Sequence, residues 1–232
     1  MKKYQFLCAA FLTMTTIANA QWGFTIAPTN SRANDWQVLV ENFITKRHTD
    51  FLKHGNAATL DYTFQLKSPA WELRPAIHGM RSSMIFDEFD FDIYALGLQG
   101  NINFALFKME AKDRPAKATT LYFQFSPGIS FVRQELRKAL IEDGLLLGFE
   151  TTTNRQLAFN AGLGILLEWQ LTQLLSLSPT CGIRYYPRLE WDGFSKAVSG
   201  GTFNGEYDTV DWRQLYFGLR IGLDIKEGPA NK

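Results

Sequence analysis

Few residues in this chain carry the types and spacing that chemistry requires. A serine nucleophile needs a base to take its proton and a carboxylate to orient that base. His48, Ser82, Ser83 and Asp87 offer those types, but their spacing follows no motif, and no His-x-Ser sequence occurs. His48 precedes Thr49-Asp50 and reads as a solvated loop residue. Catalysis through His48, Ser82 and Asp87 is therefore the alternative reading, not the first one. The three histidines, His48, His54 and His78, lack metal-ligand spacing, so no metal or cofactor is expected. Asp87, Glu88, Asp90 and Asp92 form an acidic cluster able to hold a divalent cation, although a solvated loop explains it as well. Gly200-Gly201 and Gly205 lack the strand and helix context of a phosphate-binding loop.

The ends and the charge balance restrict the setting. Lys2 and Lys3 precede an apolar run from Phe6 to Ile17, and Ala18-Asn19-Ala20 offers a small-x-small cleavage site before Gln21. Residues 1–20 thus read as a secretory signal peptide, too short to serve as a membrane anchor. Removing Lys2 and Lys3 from the 24 basic residues leaves 22 against 23 acidic ones, a formal charge of −1. No basic field favours nucleic acid. Cys8 lies in the leader, so Cys181 is the lone remaining thiol and a disulfide scaffold is excluded. Beyond residue 20 no apolar run is long enough for a helical membrane span.

The pattern that must position any site has a period of two. Leu60, Tyr62, Phe64 and Leu66 alternate with Asp61, Thr63, Gln65 and Lys67; Leu157 to Trp169 and Leu215 to Ile225 repeat the pattern. Such sets share one face of a strand and would scatter around a helix. Weaker alternation marks Trp71–Arg81, Tyr94–Leu106, Leu121–Phe131 and Leu175–Pro187. Trp36–Arg47 fits strand and helical spacing equally well; taken as the first strand, it brings the count to an even eight. The organisation expected is a signal peptide at 1–20, an N-terminal periplasmic segment at 21–35, a barrel at 36–225 and a tail at 226–232. Residues 135–154 and 191–211 read as long loops, whereas Ser68-Pro69-Ala70 and residues 170–174 read as short turns.

Three features orient the apolar face outward. The strands reach about ten residues, enough to cross a bilayer at a tilt. The opposite face is rich in Gly, Ala, Ser, Asn and Gln, which suit a narrow lumen. Tryptophans sit at strand ends: Trp36, Trp71 and Trp169 at one rim, Trp191 and Trp212 at the other. Amphipathic rings at both interfaces make an aromatic girdle.

In alternation and girdle, over roughly residues 36–225, the chain resembles the small eight-stranded outer-membrane barrels of Gram-negative bacteria, the OmpA- and OmpX-like proteins. The resemblance implies an all-β, antiparallel, up-and-down transmembrane barrel in the outer membrane, with lipid and lipopolysaccharide as partners. It also implies a monomer without enzymatic activity, and a protein partner would meet the outer loops at 135–154 and 191–211. Some such barrels are lipid A acyltransferases or deacylases, which is where the alternative of His48, Ser82 and Asp87 would belong; a soluble periplasmic lipocalin-like binder is the other alternative. The family's last strand usually ends the protein on an aromatic residue, whereas here Ile225 is followed by Lys226–Lys232.

Eight strands leave a lumen that side chains fill. The inward set reads as Glu41, Asp61, Lys67, Glu72, Arg74, His78, Glu168, Arg184, Arg188, Arg220 and Asp224. Unpaired buried charges cost several kcal/mol each, so a paired network is expected. A four-residue hairpin loop at Ser68–Trp71 would set Lys67 opposite Glu72 and Asp61 opposite His78.

Overall fold

A computed structural model describes residues 20–40, 54–66, 70–85, 89–110, 118–142, 145–199 and 208–225, with positions 42, 68, 202 and 205. Eight antiparallel strands close in sequence order: β1 (Ala20–Arg32), β2 (Gly55–Gln65), β3 (Trp71–Ile85), β4 (Phe89–Glu110), β5 (Ala118–Glu142), β6 (Leu145–Gln170), β7 (Leu175–Glu190) and β8 (Thr209–Ile225). β8 pairs back onto β1 from Ala20↔Ile225 to Arg32↔Arg213, so the ring has no free edge along that seam. Among the described residues two short α-helices, α1 (Asn34–Val40) and α2 (Phe194–Ser199), lie in connections at the rim opposite the chain ends. The termini share their rim with the links at 66–70, 111–117 and 171–174. Short turns mark the periplasmic side of such barrels and longer loops the outside, so the helix-bearing rim is the outer one.

The first strand differs from expectation. The strand is Ala20–Arg32, within what reads as a periplasmic segment, and Asn34–Val40 is helical where the expected first strand begins; residues 41 and 43–47 of that expectation lie outside the described residues. Its alternation is partly hidden by Pro28, which cannot donate to a ladder, and the β8 pairing skips from Ile26 to Thr29. Trp22, Phe24 and Ile26 face out, while Gln21, Thr29 and Ser31 are buried. The span 135–154 is likewise not a loop, because β5 and β6 continue as a tall hairpin up to Glu142↔Leu145. Above Ala161↔Tyr185 this hairpin outgrows β7, and side chains bridge the gap: Asn154 and Gln156 amides donate to the Glu190 carbonyl.

The barrel is apolar outside and polar within. Leu157 and Phe159 on β6 are 68% and 74% exposed, whereas Arg74 on β3 and Arg220 on β8 are 1% exposed. A wall of Phe24, Ile26, Ile77, Leu96, Leu98, Phe125 and Leu219 is a surface for acyl chains, and closure of the sheet gives each strand a hydrogen-bonded neighbour on both sides. The girdle also differs. Trp71 and Trp169 are exposed at the periplasmic rim and Trp22 joins them, its ring 5.0 Å from Tyr62. Trp36, Trp191 and Trp212 are instead buried inside the outer half of the barrel.

Candidate functional site in the barrel lumen

Alternation turns every second side chain of a strand inward, and closure of the ring makes those positions converge. In the periplasmic half, Arg220 of β8 reaches across β1 to Asp61 of β2. Its Nη2 donates to Asp61 Oδ1 at 2.7 Å and its Nε to Oδ2 at 3.0 Å. The crossing passes over Gly23, where a Cβ would lie 2.2 Å from Arg220 Nη2, so only glycine leaves the guanidinium its path. Arg220 also donates to Thr63 Oγ1 at 3.2 Å and Gln21 Oε1 at 3.3 Å, and its Nη1 lies 3.5 Å from Glu168 Oε2 on β6. Arg74 of β3 donates to that same Glu168 oxygen at 2.8 Å and to Glu72 Oε2 at 2.6 Å. Tyr122 of β5 donates to Glu72 Oε1 at 2.6 Å. The result is a charged belt across the barrel, from Asp61 through Arg220, Glu168 and Arg74 to Glu72.

Above the belt lies a polar layer. Arg184 Nη2 donates to Gln99 Oε1 at 2.8 Å, and Gln99 donates to Asn101 at 2.7 Å. The Tyr216 ring is accommodated by Gly164 and Gly182, paired across β6 and β7, where added Cβ atoms would meet its hydroxyl at 2.7 and 2.5 Å. A cavity of about 40 Å³ lies between Arg184 and the belt, lined by Asp61, Arg74, Gln99, Asn101 and Arg220 among others. His78 Nε2 is 3.1 Å from both Ser130 Oγ and Tyr186 OH, and Asn160 Nδ2 donates to Ser130 at 2.8 Å. These are triad residue types without triad connections. Asn160 engages the serine instead of orienting the imidazole, His78 Nδ1 has no hydrogen-bond partner, and all four side chains are buried.

The outer third is an aromatic plug. Trp36 of α1 packs on Phe194 of α2 at 4.9 Å, Phe91 of β4 at 5.6 Å and Trp191 at 6.1 Å. Below them Tyr186 and Trp212 stack at 5.0 Å. Asp208 anchors the α2 loop, accepting from the Gly193 amide at 2.8 Å, the Ser195 amide at 2.9 Å and the Ser195 hydroxyl at 2.7 Å. Partial burial disfavours the Asp208 carboxylate, but these three donors outweigh it and hold the group below the ordinary value of 3.8.

Of the eleven lumen charges expected, five make the belt: Asp61, Glu72, Arg74, Glu168 and Arg220. Arg184 and His78 lie in the layer above, neither in an ion pair among the described residues. Arg188 is outside the lumen; its φ of 51° and the register shift between Tyr186 and Leu189 turn its side chain outward. Asp224 is at the periplasmic rim, accepting from Gln170 at 3.0 Å. Glu41 and Lys67 lie outside the described residues, as do His48 and Asp87. The cross-strand pairs shift by two residues, Gln65↔Glu72 and Thr59↔His78, because the connection runs over 66–70 instead of 68–71. A shift of two preserves every face, which is why the inward set survives the wrong register. Ser82 is buried and shares a 2.8 Å hydrogen bond with Ser31. Asp92 is engaged on the exterior by Arg81, and among the described residues no three metal-type ligands converge. Gln21, Gly23 and Tyr122 are belt members that a search for charged residues passes over.

No protein-family model matches the sequence, and no curated protein matches it. Solved structures do match. A major outer membrane protein from Thermus thermophilus is 12% identical, with 89% of this chain and 99% of that one covered at a TM-score of 0.50. Neisserial surface protein A is 12% identical, covering 87% and 96% at a TM-score of 0.43. The attachment invasion locus protein Ail of Yersinia pestis is 11% identical, covering 88% and 98% at 0.43. With its closed ring of eight antiparallel strands and its apolar exterior, the chain has the fold of the small outer-membrane β-barrels.

Proposed function

We propose that this protein is a sealed, non-enzymatic outer-membrane barrel, serving envelope structure and binding at its outer face. The observation that carries the reading is two blocks in series, the aromatic plug and the charged belt, with a cavity of about 40 Å³ between them. Such a space holds a few waters and no solute path. The belt pairs three carboxylates, Asp61, Glu72 and Glu168, with two guanidiniums, Arg74 and Arg220, and Arg184, hydrogen-bonded to Gln99 in the layer above, brings the formal charge to zero. A neutral, hydrogen-bonded filling of this kind serves as a polar core. Burial of Ser82 and of the Ser130–His78 pair supports the absence of catalysis, because no lipid could reach those groups. The tall β5–β6 hairpin and the α2 loop are the surfaces offered to a partner outside. Planar-bilayer recording of the refolded mature chain is the direct test. Absence of discrete conductance steps is the expected outcome, and stable steps would refute a sealed lumen.

A further inference from the structure

The outer wall of β3 to β6 carries a feature that the lumen does not use. Arg81, Tyr94, Arg133 and Arg155 are cross-strand neighbours in one continuous row, through Arg81↔Tyr94, Tyr94↔Arg133 and Arg133↔Arg155. The row on its membrane side is Gly79, Leu96, Phe131 and Leu157, and the next is Ile77, Leu98, Ile129 and Phe159. The row on its outer side is Ser83, Asp92, Glu135 and Thr153. The wall thus changes from hydrocarbon-facing to charged at this line, and tilted strands make the line a diagonal band.

A groove of about 380 Å³ opens at the same boundary, lined by Gly79, Tyr94, Leu96, Phe131 and Arg133 among others. Gly79 forms its gap. A Cβ there would meet nothing closer than Leu96 Cδ1 at 3.8 Å, whereas at Gly97 it would strike the Ile129 carbonyl at 2.3 Å. Packing demands glycine at 97; at 79 its effect is an indentation in the lipid-facing wall.

We propose that this band binds one phosphorylated, acylated glycolipid of the outer leaflet, its phosphate on Arg133 and Arg155 and an acyl chain in the groove over Gly79. The proposal rests on the reading of the chain as an outer-membrane barrel. The charge count fits: three guanidiniums stand in the row against two carboxylates behind it. Arg81 is committed to Asp92 at 3.1 Å and stacks 5.1 Å over Tyr94, and Arg133 contacts Glu135. Arg155 is exposed, with no ion pair among the described residues. Exposed pairs of this kind hold their arginines weakly, so a phosphate can recruit Arg133 at little cost. All three cations are arginine, whose planar fork matches phosphate oxygens two at a time.

The test is native mass spectrometry of the detergent-folded mature chain, titrated with lipid A and with its phosphate-free form. One lipid A should be retained about tenfold more strongly than the phosphate-free form, the worth of a charge-assisted contact. Arg133→Gln with Arg155→Gln should abolish that difference. Gly79→Leu should weaken retention of both forms while leaving the phosphate preference intact. Equal retention of the two forms, or a preference indifferent to Arg133 and Arg155, overturns the proposal. Inorganic phosphate displacing lipid A without regard to its acyl chains would overturn the groove's part in it. Unboiled gel mobility distinguishes the underlying failure: a chain that does not fold in detergent refutes the membrane barrel itself. Should Gly79→Leu not fold, Arg155→Gln alone, at an exposed position, must still reduce the phosphate preference.

Discussion

Asp61→Ala tests the belt most directly. The carboxylate is 3% exposed and receives hydrogen bonds of 2.7, 3.0 and 3.2 Å from Arg220. Its removal leaves the guanidinium buried with two neutral acceptors, Thr63 and Gln21, and one carboxylate oxygen of Glu168 at 3.5 Å. Removing one member of a buried ion pair costs about 3–5 kcal/mol. The remaining Glu168 contact sets the expectation at the low end, about 3 kcal/mol. Most of that is the cost of an unpaired cation, so Asp61→Leu combined with Arg220→Met should restore stability to within about 1–2 kcal/mol of the natural chain. Gly23→Val should also destabilise by about 1–3 kcal/mol, because its side chain occupies the path of Arg220. Urea unfolding in detergent micelles, followed by tryptophan fluorescence and checked by unboiled gel mobility, measures all three. A cost below about 1 kcal/mol for Asp61→Ala would refute the argument. So would a double variant as unstable as the sum of its single changes.

Other consequences can be checked on the same protein. Trp36→Ala removes a fully buried ring from the plug and should cost about 3–5 kcal/mol, with amide exchange rising together in α1 and α2; unchanged exchange in α2 would contradict their shared packing. Because the Asp208 carboxylate is held below 3.8, its anchoring of the α2 loop is complete above that pH and is lost as pH falls through the depressed value. Exchange at residues 193–199 should therefore rise on acidification, and Asp208→Asn should raise it at neutral pH and remove the pH dependence. Ser82→Ala should leave lipid A acylation unchanged by mass spectrometry and cost about 1 kcal/mol through the lost Ser31 contact; altered acyl chains would reinstate the catalytic alternative.

The sequence by itself determined which residues share a face. Leu157, Phe159, Leu163, Ile165 and Trp169 point outward and Asp61, Glu72, Arg74 and Arg220 inward because a strand's two-residue period is local, written in adjacent positions. Outward tryptophans at 71 and 169 follow from the same rule. What the chain meets across the ring is not local. Whether 36–47 or 20–32 supplies the first strand depended on which segment could pair with both β2 and β8, and Pro28 blurred the correct one.

Register was settled by the span of the connection at 66–70, and the fate of Arg188 by a positive-φ residue that resets the alternation. The aromatic residues divide for a further reason. Trp71 and Trp36 are the same residue type near an element's end, yet one meets lipid and the other fills the lumen. An inside-out barrel rewards a large ring on either side of its wall, against acyl chains or as filler of a space closed to water. Only closure of the sheet, with α1 folded into the mouth, decides between them.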